Sequence, residues 1–340
     1  MTNKGQIFSI IFLCSFALGG TYSFLKFSGP RLDVAVISPE VQDKEVGNKK
    51  RLESKDLGKL SMVFVGDIML SRSVGDKMAI LKDYTFPFLK ISDYINSFDL
   101  AFANLENPVS LRGTKIGSIY SFRADPRVIE GLRFAGFDVL SIANNHIWDY
   151  GIDAFLDTMT LVKAGGMDYV GGGYNFNDAH KPLVREINGV KISFLAYTNL
   201  LPPSTTATEF SEGVSFLEMN QVLLDIAEAK KVSDIAVVSF HWGEEYQKNH
   251  NLNQEFIANK SIKAGADLII GHHPHVPQEV ESQSTAWIAY SLGNFIFDQS
   301  WSEETKKGLA LEVSVEDKKI KDVKSRDINI SDEYQASLVN

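Results

Sequence analysis

Three histidines lie within four residues, in the stretch 271–275 that reads Gly-His-His-Pro-His. The preceding residues, 266–270, are largely apolar, and a short apolar run ending in glycine is typical of a buried strand that leads into a loop. In a layered α/β protein such a loop lies at the carboxyl end of a strand, where ligands bind. Because histidine is the commonest metal-binding side chain, the stretch indicates either a metal-binding loop or a polar surface turn.

Polar side chains follow four other apolar runs, within residues 60–67, 99–106, 137–146 and 234–243. Five of the seven histidines fall on these predicted strand ends or on the 271–275 loop, which random surface placement does not explain. Carboxylate, amide and imidazole groups together suit a divalent ion such as manganese, zinc or iron, whereas calcium and magnesium prefer more oxygen ligands. The collected candidates are Asp67, Asn104, Glu106, Asn145, His146, His241, His272 and His275.

Helices must alternate with these strands to hold their ends in place. Apolar residues at helical spacing predict four helices, at residues 125–135, 153–163, 217–231 and 254–264. The alternation predicts a layered α/β fold, and Asp149 is expected to cap the second of these helices.

A second group of strands has the pattern of a mixed or antiparallel sheet. Asn188-Gly189 between two β-rich runs predicts a hairpin over residues 181–197. Further strands are predicted at 286–292, 308–315 and 320–328. We expect one domain over residues 59–330 and a C-terminal tail at 331–340.

The composition excludes several classes of protein. A hydrophobic fraction of 44% over 340 residues rules out wholesale disorder. A net charge of −9 without a dense basic run argues against a nucleic-acid partner. Cys14, the single cysteine, lies in the N-terminal apolar segment, so neither a cysteine-ligated zinc site nor a cysteine nucleophile is expected.

The N-terminal segment indicates a membrane protein. Residues 5–25 carry no charge, and about twenty apolar residues can span a bilayer as a helix. We predict a transmembrane signal anchor over residues 1–27, with a cleaved signal peptide ending near Gly19-Gly20 as the alternative. Residues 28–58 are polar and charged, which predicts a flexible tether. The expected location is the cell membrane, crossed once.

The motifs together resemble the bacterial capsule-biosynthesis proteins of the CapA/PgsA type, which are associated with poly-γ-glutamate and related to calcineurin-like metallophosphoesterases. The resemblance extends over about residues 60 to 300, and it is carried by the motifs at 66–72, 104–108, 143–146, 241–243, 271–276 and 291–295. It implies a four-layer αββα sandwich with metal above the strand ends. It also implies that the domain is anchored in the membrane and faces outward.

The same resemblance implies a role for each matching residue. The implied metal ligands are Asp67, Glu106, Asn145, His241, His272 and His275. Met69 stands where the phosphoesterases have a histidine, and His273 is a rival ligand that is expected to point elsewhere. We therefore expect one or two divalent ions, of manganese, zinc or iron. His146 and Arg72 are the expected catalytic residues, because a histidine can protonate a leaving group and a guanidinium matches an anionic substrate.

Substrate binding is expected to involve Asn104, Arg123 and Asn294, although a surface ion pair is the simpler role for Arg123. Two functions remain open. The protein is either a metal-dependent hydrolase acting on a phosphoester or amide of a surface polymer, or a non-catalytic assembly or export component with a vestigial site. A nucleotidase of the same superfamily is a weaker alternative, because Met69 stands where the first motif of those enzymes has a histidine. The expected partners are the membrane, other subunits of a polymer synthase complex, and an anionic polymer or phosphoester.

Overall fold

The structure is a computed structural model that describes residues 57–116 and 119–339. The predicted anchor at 1–27 and nearly all of the predicted tether at 28–58 lie outside this part of the chain. Among the described residues, no helix is both long enough and apolar enough to cross a membrane.

The chain forms seven α-helices and sixteen strands within the described ranges. The strands are β1 Lys59–Ile68, β2 Leu100–Leu105, β3 Val139–Ser141, β4 Asp168–Val170, β5 Gly172–Gly173, β6 Leu183–Ile187, β7 Val190–Thr198, β8 Gly213–Val214, β9 Ile235–His241, β10 Leu268–His272, β11 Val280–Gln283, β12 Ala286–Ala289, β13 Asn294–Ile296, β14 Lys307–Glu316, β15 Lys319–Ile330 and β16 Ala336–Leu338. The helices are α1 Arg72–Leu81, α2 Ser92–Asn96, α3 Val128–Ala135, α4 Gly151–Ala164, α5 Phe176–His180, α6 Met219–Val232 and α7 Leu252–Ala264. Short 3-10 helices occupy Phe86–Phe88 and Pro203–Thr205.

The first sheet brings three of the polar strand ends together. Its order is β16-β15-β14-β1-β2-β3-β4, with β13 beside the end of β1. Strands β1, β2, β3, β4 and β13 run parallel, so their carboxyl ends meet at one edge. In the register of the sheet, Asp67 lies between Asn294 and Asn104. The predicted tail contributes β16, which pairs with β15, so the sheet continues past residue 330.

The second sheet delivers the histidines. Its order is β11-β12-β10-β9-β7-β6, and β7, β9, β10 and β12 are parallel. His272 pairs in register with His241 on the neighbouring strand. The hairpin of β6 and β7 turns at Asn188 and Gly189, both with positive φ, as a two-residue turn of this kind requires.

The two sheets pack face to face and helices cover their outer faces. Between the sheets, Phe102 from β2 stacks on Phe194 from β7 with ring centroids 5.9 Å apart. Outside the first sheet, α1 and α3 bury Val74 and Leu132 against it. Outside the second, α6 and α7 bury apolar residues such as Ile226. The predicted mixed α/β fold is confirmed, and the layers follow one another as helix, sheet, sheet and helix.

Candidate metal centre

The 271–275 loop is held in an uncommon backbone conformation. Gly271 lies so close to its neighbours that a Cβ atom there would be 1.9 Å from the carbonyl oxygen of Tyr290. His273 and His275 have φ values of 96° and 60°, in the left-handed region that side chains other than glycine rarely adopt. Such strain persists only where the surroundings impose it, and it concentrates at functional sites.

A buried cluster forms where the ends of the two sheets meet. Asp67, Glu106 and His275 each offer one ligand atom, and these atoms lie within 4.8 Å of one another. Glu106 Oε1 is 3.6 Å from His275 Nε2 and 3.9 Å from His241 Nε2. On the other side, Asp67 Oδ1 is 3.1 Å from His272 Nδ1. All of these side chains are almost fully buried.

Several polar atoms of this cluster have no hydrogen-bond partner within the described part of the chain. They include Glu106 Oε1, His272 Nε2 and His273 Nδ1. An unsatisfied buried polar atom costs about 1–3 kcal/mol, so three of them in one place need an explanation. Carboxylates and imidazoles are the ligands of manganese, zinc and iron. The donor set and its unpaired atoms therefore fit a divalent metal ion.

Asn104 connects the two carboxylates. Its Nδ2 donates to Asp67 Oδ1 at 2.9 Å and to Glu106 Oε2 at 3.3 Å. Asn144, which the sequence analysis did not single out, orients this amide by donating to Asn104 Oδ1 at 3.0 Å. Asn104 is fully buried and holds the two carboxylates in place, and its expected role in substrate binding stays a prediction.

Asn294 orients His275 in a similar way. Its Nδ2 donates to the carbonyl oxygen of Thr305 at 2.9 Å, which leaves Oδ1 to accept from His275 Nδ1 at 2.9 Å. His275 Nε2 therefore keeps its lone pair and lies on the side of Glu106. Hydrogen bonds of this kind fix the tautomer of a metal-binding histidine. Asn294 is also fully buried and orients His275, and its expected role in substrate binding stays a prediction.

The remaining predicted ligands complete the same cluster. His241 Nε2 lies within hydrogen-bond distance of Asn145 Oδ1, at 2.8 Å, and 3.9 Å from Glu106 Oε1. The structure thus brings all six predicted metal ligands together, and metal binding itself stays a prediction.

Electrostatics in the cluster follow from burial. Burial, then the charges of Asp67 and Glu245, raise the pKa of Glu106 well above its usual value. Burial opposes ionisation of Asp67 too, but the nearby histidines, His272 first, hold the pKa of that carboxyl below its usual value. Burial, then the neighbouring His275, lowers the pKa of His273 to about 3. Neutral imidazoles keep the lone pairs that a metal ion needs.

His146 is oriented by Asp149. Its Nδ1 lies 2.8 Å from Asp149 Oδ2, and the same oxygen accepts from the backbone N–H of Phe122 at 2.7 Å. The ring of Phe122 packs on His146 with centroids 3.9 Å apart. Asp149 was expected to cap a helix, but Tyr150 precedes the first residue of α4 and no side chain caps it. The aspartate orients His146 instead.

The two predicted arginines are already engaged. Arg72 forms a bidentate ion pair with Asp298 and lies 5.0 Å above the ring of Phe122. Arg72 therefore reaches the border of the site through the same ring that contacts His146. Arg123 donates to the carbonyl oxygens of Arg112 and Gly113, and so braces a loop.

Two residues depart from expectation: His273 points into the cluster, and Met69 stands where the resemblance implies a histidine ligand. His273 was expected to point elsewhere, yet one of its ring nitrogens lies within 4.8 Å of ligand atoms of Glu245 and His275. The sequence analysis missed Glu245, and its only signal was a carboxylate four residues after His241. Met69 is buried in the core between the first sheet and the helices that cover it, where its sulfur accepts from Ser71 Oγ at 3.1 Å.

Comparison with known proteins identifies the family. Residues 61–299 match the model of the bacterial capsule synthesis protein family PGA_cap. The chain is 37% identical over 264 residues to the capsule biosynthesis protein CapA of Bacillus anthracis, covering 74% of this chain and 63% of that one. It is 36% identical over 259 residues to the PGA biosynthesis protein CapA of Bacillus subtilis, covering 74% of this chain and 66% of that one.

A more distant relative is a probable polyglutamine synthesis accessory protein of Mycobacterium tuberculosis, at 24% identity over 68% of this chain and 65% of that one. The matched region thus spans slightly less than two thirds of the length of each of these relatives. The family match covers most of this chain and contains every residue of the cluster. The chain therefore belongs to the bacterial capsule synthesis protein family PGA_cap, which includes the CapA proteins.

Proposed function

We propose that this protein acts in the synthesis of a bacterial capsule polymer of the poly-γ-glutamate type, as a metal-dependent hydrolase. The family and the names of the Bacillus relatives support the biosynthetic role. The observation that carries the hydrolase is Glu106 Oε1, a buried carboxylate oxygen without a hydrogen bond that lies among imidazoles. Its bond target would be a phosphoester or an amide of the polymer or its precursor.

Some residues of the cluster would hold the metal ion, and others orient the side chains that hold it. Asp67, Glu106 and His275 would hold the ion, with Asn145, His241 and His272 beside them. Asn104 fixes the two carboxylates and Asn294 fixes the tautomer of His275. A divalent ion bound there makes hydroxide available near neutral pH and polarises the bond under attack.

His146 is placed to handle the leaving group. Asp149 lies at its Nδ1, so Nε2 is the nitrogen that would give a proton to the departing oxygen or nitrogen, which requires the ring to enter the step as an imidazolium. Phe122 covers one face of the imidazole and limits its rotation. Arg72 lies above the same ring, and its positive charge would attract an anionic polymer to this border of the site.

We further propose that residues 1–27 anchor the chain in the cell membrane and that residues 28–58 tether an outward-facing domain. The uncharged run at 5–25 supports the anchor. Partners would be other subunits of a polymer synthase, in keeping with the accessory role named for the mycobacterial relative.

A second candidate is a non-catalytic component that assembles or exports the polymer. Two observations favour it: Met69 replaces a ligand implied by the metallophosphoesterase resemblance, and Asp298 already neutralises Arg72. In that case the cluster would be a structural relic.

The two candidates separate by experiment on the full chain. We expect the purified protein to bind Mn²⁺ and to hydrolyse a model phosphoester or poly-γ-glutamate, and the Glu106→Ala, His241→Ala double variant to lose both properties. Cells that carry the same double variant in place of the wild-type protein should lose their capsule. Absence of bound metal in the wild-type chain, together with an unchanged capsule in the double variant, would overturn the hydrolase.

A further inference from the structure

We propose that Tyr246 and Trp301 form an aromatic platform beside the buried cluster, and that this platform binds the backbone of a γ-linked glutamate chain. The inference rests on the proposed function, because it names the substrate class of the same site and the residues that select it.

A row of ring contacts runs out of the cluster and ends at the platform. Successive ring centroids in the row lie 3.9, 5.8, 4.9, 6.0 and 4.7 Å apart, in the order His146, Phe122, Phe297, His275, Tyr246 and Trp301. The three middle rings are buried, so the row is accessible at its two ends. His146 lies at one end and the platform at the other.

Tyr246 is held in place against the cluster. Its φ of 65° is in the left-handed region that a tyrosine rarely adopts. Its backbone N–H donates to the carbonyl oxygen of Pro274 at 2.8 Å, and its ring stacks on that of His275 in the same loop. Strain of this kind persists where the surroundings impose it. The ring of Tyr246 is thereby fixed between a candidate metal ligand and Trp301.

Trp301 supplies an open ring surface. The residue is 63% exposed, and it meets Tyr246 edge to face at an interplanar angle of 86°. A single exposed aromatic residue is ordinary on a protein surface. Here two of them are in contact beside the candidate site, and tryptophan and tyrosine are the residues that most often dominate a binding surface.

The charges around the platform indicate which part of the chain it binds. The lysines next to it in the sequence are paired with acids, Lys248 and Lys307 with Glu304, and Lys306 with Glu303. The face of an aromatic ring carries negative charge density, so it repels a carboxylate and accepts methylene groups. A γ-linked glutamate chain offers methylene groups and a planar amide in every repeat, and its carboxylates can point away into water.

The length of the row favours a chain over a small ester. A small phosphoester can reach the candidate metal ligands and His146 without touching Trp301, which is the last ring of the row. A polymer that continues past the cluster can contact both ends. The platform therefore makes the protein selective for a chain.

The experiment measures polymer binding to the full chain by isothermal titration with poly-γ-glutamate. A chelator is present, so that the measurement depends neither on bound metal nor on cleavage. We expect Trp301→Ala and Tyr246→Ala each to weaken binding by about tenfold. Trp301→Phe keeps a ring and should restore most of the affinity. Phe210→Ala is the matched control, because Phe210 is an exposed aromatic residue outside the row, and it should bind like the wild type.

Several outcomes would overturn the platform: wild-type affinity in Trp301→Ala, an equal loss in Phe210→Ala, or a wild-type chain that does not bind the polymer. Trp301 is exposed, so it can be changed even if Tyr246→Ala fails to fold. Hydrolysis of a model phosphoester with polymer binding that is independent of Trp301 would remove the platform and keep the hydrolase. Polymer binding through Trp301 in a chain that neither holds Mn²⁺ nor hydrolyses would do the reverse.

Discussion

Glu106 shows at the scale of a single residue why the proposed site suits a cation. Its carboxyl is fully buried, one oxygen is unpaired, and burial followed by the charge of Asp67 raises its pKa. The folded chain without metal therefore holds a proton on this group more tightly than the unfolded chain does. Its contribution to stability falls as the pH rises above the unfolded value of about 4.3. A bound cation reverses that preference.

Replacing Glu106 by glutamine tests this directly. Without metal, Glu106→Gln should lose less stability than the wild type as the pH rises above about 4.3, because the titrating group is gone. With Mn²⁺ at about a hundred times its Kd, the wild type should gain about 2.7 kcal/mol, and the variant should gain almost nothing. Thermal unfolding with and without metal measures both effects. Equal metal-induced shifts in the two proteins would contradict the assignment of Glu106 as a ligand.

Asn294 allows a test of ligand orientation. Asn294→Leu removes the acceptor at His275 Nδ1, so the affinity for Mn²⁺ should fall by about 10–100-fold, the usual effect of losing such a partner. Competition with a chelator measures the affinity. Gln299→Leu is the control, because Gln299 Oε1 accepts from Nδ2 of Asn294, the end of the amide that does not face His275. If both variants bind equally well, Asn294 does not position His275.

At the scale of elements, parallel strands explain why much of the centre was predictable. Asp67, Asn104 and His272 each lie at the end of an apolar run. Parallel pairing brings Asp67 beside Asn104 in the first sheet and His272 beside His241 in the second. Local patterns carry no information on which side chain approaches another from a distant loop. For that reason Glu245 was missed, since its proximity to His273 and His275 depends on the tertiary fold. Asp149 was predicted as a helix cap because a local pattern does not show whether its carboxylate faces the helix end or His146, three residues earlier.

The start of α7 gives a prediction at this scale. The side chain of Asn251 accepts from the backbone N–H groups of Asn253 and Gln254. In return, the Gln254 side chain accepts from the backbone N–H of Asn251. Asn251→Ala should destabilise the protein by about 1 kcal/mol. The exposed Asn253, two residues after Asn251 in the first turn of α7, is the control. The free energy of unfolding of Asn253→Ala should stay within about 0.5 kcal/mol of the wild-type value. Denaturant unfolding decides; similar losses in both would argue against the cap.

For the molecule as a whole, stability depends on the layer between the two sheets. Phe102 stacks on Phe194 across this layer and lies 6.4 Å from the ring of His272. The same apolar contact that joins the sheets therefore also sets the distance between the aspartate edge and the histidine edge. A change in this layer should affect the fold and the centre together.

Phe102→Ala tests that coupling. Removing a fully buried ring should destabilise the protein by about 3–5 kcal/mol, and binding of Mn²⁺ should weaken as the strand ends move apart. Phe210, which is 90% exposed, provides the control, and Phe210→Ala should change the free energy of unfolding by less than about 0.5 kcal/mol. Urea unfolding gives the first quantity and a chelator competition the second. Normal metal affinity in a destabilised Phe102→Ala would show that the layer does not set the geometry of the centre.

The pairing of β13 with the end of β1 has a consequence for the order of events in folding. Asp67 and Asn294 are register partners although they come from opposite ends of the domain, and Asp67 accepts from the backbone of His273, 206 residues away in the chain. Contacts between residues so far apart in the sequence form slowly, because closing a long loop costs chain entropy before the contact offsets that cost. The proposed ion-binding place is thus expected to be among the last features to form. Metal uptake by this protein should lag behind the formation of its helices, and bound metal should serve as a marker of completed folding.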